Sequence, residues 1–472
     1  MDPEELRQQG HRFIDWLADF HAGMEGYPVR SQVRPGEIRG ALPGTAPADP
    51  ESYDAIVRDL ERVIVPGLTH WQSPRFFAYF PANISAASVL GELTSAAFGI
   101  QGMSWTTSPS CTELETVVLD WMREALGLPE VFGASGAGGG VIQDSASSAT
   151  LCAMLAARER VTGGDGNARG LFGRAPMTVY GTAQAHSSFE KAARVAGIGS
   201  AQVRMVDTDA QLRMRPEALA AQLDEDLARG HTPCMVNAVV GTTSTNAIDP
   251  LREIGEVCRA RGVWLHVDAA MSGISALCPE YRHLQDGVSL ADSYTTNAHK
   301  WMLTNFDCNL FWVRDRGALT GALGAHPEYL DNRASASGEV IDYKDWQIPL
   351  GRRFRALKLW FVLRRFGTEA LADMVREHVA LARRFAGWVE ASERFELFGA
   401  PPLNLVCFAH RDGEAASRRL LEACNDGGEM YLTHTRVDGR YLLRMSIGGA
   451  TTSASHVERA WSILQRTAAA QA

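Results

Sequence analysis

Between about residues 86 and 367 the chain alternates short apolar runs with amphipathic stretches, and this alternation limits its fold more than any other feature. The candidate strands are 177–181, 202–206, 235–240, 263–267, 293–296 and 309–313, with helical stretches such as 216–229 and 251–261 between them. Strands this apolar are buried on both faces, and strand–helix alternation builds an α/β fold with a mainly parallel sheet covered by helices. Ligands of such sheets gather in the crevice at the carboxyl ends of the strands.

The flanking regions read differently. Leu6, Phe13, Leu17, Phe20 and Met24 share one face of a predicted helix over 3–24. Residues 27–51 then carry Pro28, Pro35, Pro43, Pro47 and Pro50, which predicts an extended arm that needs a surface to lie on, such as a partner subunit. Ile56, Leu60 and Ile64 mark a second helix. Ser110 and Glu113 have capping-box spacing ahead of the helical face Leu114, Val117, Val118, Trp121 and Met122. After 367, a long helix over 370–392, strands 405–409 and 441–445 and helices 415–425 and 456–468 predict a small α+β domain. The expected division is thus 1–85, an N-terminal helical arm; 86–367, the large α/β domain; and 368–472, the small domain.

Composition excludes several partners. The formal charge is -9, from 46 Lys+Arg against 55 Asp+Glu, and no basic stripe suits a nucleic acid. No apolar run approaches the roughly 18 residues of a membrane helix, and the first residues are acidic where a secretory signal is basic. A soluble, cytoplasmic protein is expected. The eight cysteines form no C-x-x-C and the thirteen histidines no H-E-x-x-H, so no metal is expected and the cysteines read as small buried hydrophobes.

Only four of the 46 basic residues are lysines: Lys191, Lys300, Lys344 and Lys358. One of them lies in Thr296-Asn297-Ala298-His299-Lys300-Trp301, about thirty residues after Trp264-Leu265-His266-Val267-Asp268-Ala269-Ala270. Taken singly, a strand-end Lys is a solvated residue and a strand-end Asp a turn former. Together they bring an amine and a carboxylate to one crevice, which is what pyridoxal phosphate requires. Lys300 would bond the aldehyde and Asp268 would keep the pyridine nitrogen protonated. A cradle for the phosphate follows Gly136, Gly138, Gly139 and Gly140, where Val141 to Ser148, including Ser145, Ala146 and Ser147, opens a helix predicted over 149–158. Amides at a helix N-terminus and serine hydroxyls bind a phosphate dianion. Neither G-x-G-x-x-G nor G-x-x-x-x-G-K-[ST] occurs, which argues against nucleotides.

With these residues in view, the chain resembles the pyridoxal-phosphate-dependent group II decarboxylases, in their aromatic L-amino-acid decarboxylase branch. The resemblance runs over nearly the whole length. It is carried by Phe76 to Pro81, Ser104-Trp105, Cys111 to Glu115, Val141 to Ser147, Gln184 to Ser188, His266 to Ala270, Asn297 to Trp301, Asn305 to Cys308 and Asp345 to Phe354. It implies the type I, aspartate-aminotransferase-like fold and a homodimer whose active sites lie at the subunit interface. It further implies that His186 stacks on the coenzyme ring with Ala270 on the other face, that Thr243 lines the ring, and that Ala146, Ser147, Asn297 and His299 surround the phosphate.

Tyr329 lies in 324–340, a segment without hydrophobic periodicity that reads as a mobile loop. In the family this loop closes over the neighbouring site, and its tyrosine protonates the carbanion after CO2 leaves. Related aldehyde synthases commonly alter this tyrosine or the stacking histidine; both are present here, which favours decarboxylation. The substrate pocket would include Phe80, Pro81, Ala82, Gln101, Met103, His186 and Gly351. Ala82 stands where animal relatives have threonine, and Gln101 and Met103 where they have apolar and aromatic residues. Met103 and Gly351 leave room for an indole as well as a phenol. The alternatives are an aldehyde synthase, a decarboxylase of an acidic amino acid, or a dimer of this fold without catalysis.

Overall fold

The structure, a computed structural model, describes residues 2–325, 327–330 and 332–471. The chain falls into two compact units, one of Met1–Pro81, Leu381–Ala400 and Asn404–Ala472, the other of Ala82–Ala380 and Pro401–Leu403. The N-terminal segment therefore clusters with the C-terminal residues, whereas the sequence suggested a separate region of 1–85 and a small domain beginning at 368.

The second unit is built on strands β1 (Gly139–Gln143), β2 (Met177–Gly181), β3 (Val203–Met205), β4 (Thr232–Val239), β5 (Trp264–Asp268), β6 (Ser293–Asn297) and β7 (Asn309–Val313). Their order is β1-β7-β6-β5-β4-β2-β3. Neighbours from β3 through β6 are parallel, while β7 runs antiparallel to β6 and β1. Most of these strands are buried along their whole length, as their continuous apolar runs require.

Strand β1 was not among the expected strands, because its glycines read only as the approach to a phosphate cradle. They are packing residues instead. A Cβ at Gly140 would lie 2.7 Å from the Trp312 indole, and one at Gly138 would lie 1.9 Å from the Val131 carbonyl oxygen. Helix starts also shift. Helix Pro109–Ala125 is capped by Ser108, whose Oγ accepts from the Cys111 N–H at 3.3 Å, rather than by Ser110. Pro109 takes the first helical position, where its missing N–H costs nothing. Helix Ala146–Thr162 begins three residues before the predicted 149 because Ser145 accepts from the Ser148 N–H at 3.3 Å and acts as its cap.

The first unit holds an antiparallel sheet of β8 (Phe395–Leu397), β9 (Leu405–His410), β10 (Thr433–Val437) and β11 (Arg440–Ser446), ordered β10-β11-β9-β8. Helices Glu414–Asp426 and Ala454–Ala469 belong to it, and Phe385, Phe395, Phe408, Leu420, Leu443 and Leu464 form its core. Strands β8 and β10 were not anticipated: one has three residues, and the other is mostly exposed or half-buried, so neither carries an apolar run. Helix Pro3–Ala22 starts at an Asp2 cap with Pro3 in its first turn, and none of its residues is buried. The proline-rich arm is interrupted by one short helix, Glu37–Ala41.

Candidate active site

Three neighbouring strands of the second unit end together. The register pairs Val239 of β4 with Asp268 of β5, and Asp268 with Thr295 of β6. Asp268 thus closes β5, Asn297 closes β6, and Lys300 sits on the single helical turn Ala298–Trp301 that follows. Asp268 is 6% exposed, and its Oδ1 accepts from the Ala270 N–H at 3.0 Å. Burial pushes the Lys300 amine below the usual lysine range, and the Asp268 carboxylate opposes that shift. The Asn83 N–H donates to the Lys300 carbonyl at 3.1 Å, which brings the chain next to Ala82 against the lysine.

His186 lies between β2 and helix Ser188–Val195. Its Nδ1 accepts from the Ser188 N–H at 3.2 Å and lies 2.8 Å from Ser188 Oγ, so the other nitrogen carries the proton of the neutral ring. Desolvation lowers its pKa, Asp268 raises it and Lys300 lowers it. All three side chains therefore act on one another. Thr243 occupies the exposed rim of a turn after β4, held where Asp249 accepts from the Met214 and Val239 N–H groups at 2.7 and 2.8 Å. Burial raises the Asp249 carboxyl to about 6.

The candidate phosphate residues show a matched chemistry. Ser145 caps helix Ala146–Thr162, leaving the amides of Ala146 and Ser147 in a first turn that has no helical carbonyl for them. Asn297 and His299 are both 2% exposed. Donor amides, hydroxyls and an imidazole, with a carboxylate and a buried amine beside them, are the groups pyridoxal phosphate needs. The residues present fit it.

The other expected residues are distributed less simply. Gln101, Met103 and Gly351 adjoin one another: the Arg352 N–H donates to Gln101 Oε1 at 2.5 Å, the Lys344 N–H donates to the Met103 carbonyl at 2.9 Å, and a Cβ at Gly351 would lie 3.2 Å from Gln101 Nε2. Phe80 and Pro81 belong to the first unit, where Phe80 packs 5.4 Å from the Trp71 ring and Pro81 lies against Gly448. Tyr329 is 77% exposed in the turn Glu328–Leu330. Its segment, predicted to be without structure, also forms helix Arg333–Ser337, capped by Asn332 and closed by Gly338 at φ 73°. Punctuation residues rather than periodicity mark so short a helix. His326 and Asp331 of this segment lie outside the described residues.

Sequence reasoning missed a buried clamp. Arg352 and Glu115 are 1% and 0% exposed as side chains and pair at 2.7 Å. Glu115 Oε1 also accepts from the Ile142 N–H at 2.8 Å, while Arg352 donates to the Ile142 carbonyl at 3.0 Å and to Gln347 Oε1 at 3.0 Å. The guanidinium so ties β1, just before the phosphate turn, to the segment carrying Gly351. An Arg and a Glu so far apart in sequence give no local signal. Arg352→Met is expected to cost about 3–5 kcal/mol, because it strands a buried carboxylate. The loss should be read as a lower urea midpoint at an unchanged slope, and Glu115→Leu added to it should recover most of the loss.

A parallel sheet with an aspartate and a lysine at adjoining strand ends defines a pyridoxal-phosphate enzyme of the type I fold. The family model described as "Pyridoxal-dependent decarboxylase conserved domain" matches residues 35–411, and the chain belongs to that family. It is 45% identical over 474 residues to tryptophan decarboxylase 2 of Oryza sativa subsp. japonica, covering 98% of this chain and 95% of the relative. It is 46% identical to phenylacetaldehyde synthase of Arabidopsis thaliana, over 99% and 96% of the two chains. Oryza sativa TDC, solved with PLP and tryptamine, superposes with a TM-score of 0.97 at 38% identity, over 100% of this chain and 99% of that one. The chain is a PLP-dependent carboxy-lyase.

Proposed function

We propose that the enzyme decarboxylates an aromatic L-amino acid, of the tryptophan, DOPA, tyrosine or phenylalanine class, to the amine and CO2. The observation that carries the reaction is the convergence of Asp268, Lys300 and His186 beyond the carboxyl ends of β5, β6 and β2. The substrate class rests on whole-length similarity to tryptophan and tyrosine decarboxylases of plants.

In this reading Lys300 would hold the coenzyme aldehyde, and burial, which pushes its amine below the usual lysine range, favours the neutral form that can do so. Bound pyridoxal phosphate supplies the electron sink that accepts the pair left when the bond from Cα to the carboxylate breaks. Asp268 holds the pyridine proton, His186 and Ala270 hold the ring between them, and Thr243 lines its edge. Ser145, Ala146, Ser147, Asn297 and His299 hold the phosphate. Ala82, Gln101, Met103, His186 and Gly351 would orient the substrate, and orientation selects the bond that breaks. Tyr329 then delivers a proton to Cα. Its exposure suits a residue that reaches its site only when its loop closes on a neighbouring subunit.

A cytoplasmic homodimer goes with this reading. Leu90, Leu93, Phe98, Val117 and Trp121 are exposed at 42–59% on two helices of the second unit, large apolar side chains that a partner subunit would cover. Buried thiols such as Cys152 and Cys308 stay reduced in that compartment. Sedimentation at micromolar concentration should give twice the 51.4 kDa chain mass.

The similarity to an aldehyde synthase, of the same degree as to the decarboxylases, supports a second reading, oxidative loss of both CO2 and ammonia. A panel of aromatic and acidic L-amino acids scored for amine tests the proposal. Amine from at least one aromatic acid and none from glutamate or aspartate is expected; amine from the acidic substrates alone would overturn it.

A further inference from the structure

The two side chains read as phosphate contacts at the end of β6 are held from behind by the start of β7. The antiparallel register sets Asn309 directly opposite Asn297. The Asn309 amide nitrogen donates to Asn297 Oδ1 at 2.6 Å and to Thr295 Oγ1 at 2.8 Å, and Asn309 is fully buried. One residue earlier, the Cys308 N–H donates to His299 Nδ1 at 2.8 Å, while the His299 N–H donates to the Cys308 carbonyl at 3.3 Å. The Phe306 ring lies 4.4 Å from the same imidazole.

Each of these bonds consumes an acceptor. A carboxamide whose oxygen is held on one side presents its N–H groups on the other, and an imidazole whose Nδ1 accepts carries its proton on Nε2. Burial, with Lys300 adding to it, pushes the His299 imidazole down to about 3, so the ring stays neutral and brings no second cation beside the amine. The pattern suits a dianion: Asn297 Oδ1 and His299 Nδ1 are both engaged by β7 and the residue before it, which leaves the N–H groups of both side chains to be offered.

We propose that Asn309, with the Cys308 amide, is a positioning residue that leaves Asn297 and His299 as pure donors and so sets the preference of the site for a phosphorylated coenzyme. This rests on the reading of Asn297 and His299 as phosphate contacts given above. Asn309 itself touches neither coenzyme nor substrate; it acts through Asn297. A carboxylate at 309 would meet Asn297 Oδ1 with oxygen against oxygen, and the Asn297 amide would turn its carbonyl towards the phosphate.

The test compares two coenzyme forms. Holoenzyme is dialysed to equilibrium against graded pyridoxal phosphate and, separately, against graded pyridoxal, and retention is read by absorbance. Asn309→Asp is expected to weaken pyridoxal phosphate binding roughly 10–100-fold, the effect of losing a hydrogen bond to a charged group, and to change pyridoxal binding by less than about twofold. Asn309→Ala, which introduces no buried charge, should show the same selective loss at smaller size and decides the matter if the aspartate variant does not fold. Equal weakening of both forms means a merely structural role and overturns the proposal. Asn297→Ala separates the two layers of the argument. If it leaves the preference for the phosphorylated form unchanged, the phosphate reading fails and takes this inference with it. If it abolishes the preference while both Asn309 variants keep it, the phosphate reading stands and the role of Asn309 is refuted.

Discussion

Lys300→Ala is expected to abolish turnover and covalent attachment of the coenzyme together. The enzyme has three other lysines, so loss at one position is informative only if none of them can substitute. Lys344 is held by Asp345, with Nζ 2.8 Å from both carboxylate oxygens, and Lys358 by Glu92 at 2.7 Å. Lys191 is exposed on helix Ser188–Val195. Lys300 combines a buried amine with a pKa lowered mainly by desolvation and an aspartate that acts on it. Borohydride reduction followed by mass measurement of the intact chain should leave one pyridoxyl group on the wild type and none on the variant, with turnover down by at least about 10⁴-fold. An Arg substitution should fail equally, because a guanidinium stays protonated and is a poor nucleophile. Normal activity in either variant would remove the central assignment.

Tyr329→Phe should keep coenzyme binding and lose amine formation by about 10²–10⁴-fold, the usual contribution of a positioned proton donor. The substitution removes one hydroxyl from a residue that is 77% exposed, so no stability change should accompany it. That separates a proton-transfer effect from damage to the fold. With the proton withheld, the carbon left by CO2 departure stays open to oxygen, and aldehyde is the expected residual product. An unchanged amine yield would show that another group delivers the proton.

The sheet and the pair Asp268 and Lys300 were legible because buried parallel strands write continuous apolar runs and end abruptly in polar residues. Strand β1 was not, since Gly139 and Gly140 carry no apolar side chain; the reason for them lies in the Trp346 and Trp312 rings that occupy the space of a Cβ. His186, read alone, looks like a surface histidine, and only the flanking residues of the family pattern singled it out. Asn309 and the Arg352–Glu115 clamp act through cross-strand register and long-range burial, which local spacing does not encode. Residues 1–85 read as a separate arm because their contacts with the C-terminal segment, such as the Val29 N–H donating to the Gly428 carbonyl at 2.8 Å, join positions about four hundred residues apart.

The most direct test of the account is the product balance of the purified enzyme with L-tryptophan and L-tyrosine under air. Retention of Tyr329 and His186 predicts one amine per CO2, with no aldehyde, ammonia or hydrogen peroxide above background. Aldehyde and ammonia in step with CO2, with oxygen consumed and peroxide formed, would contradict it.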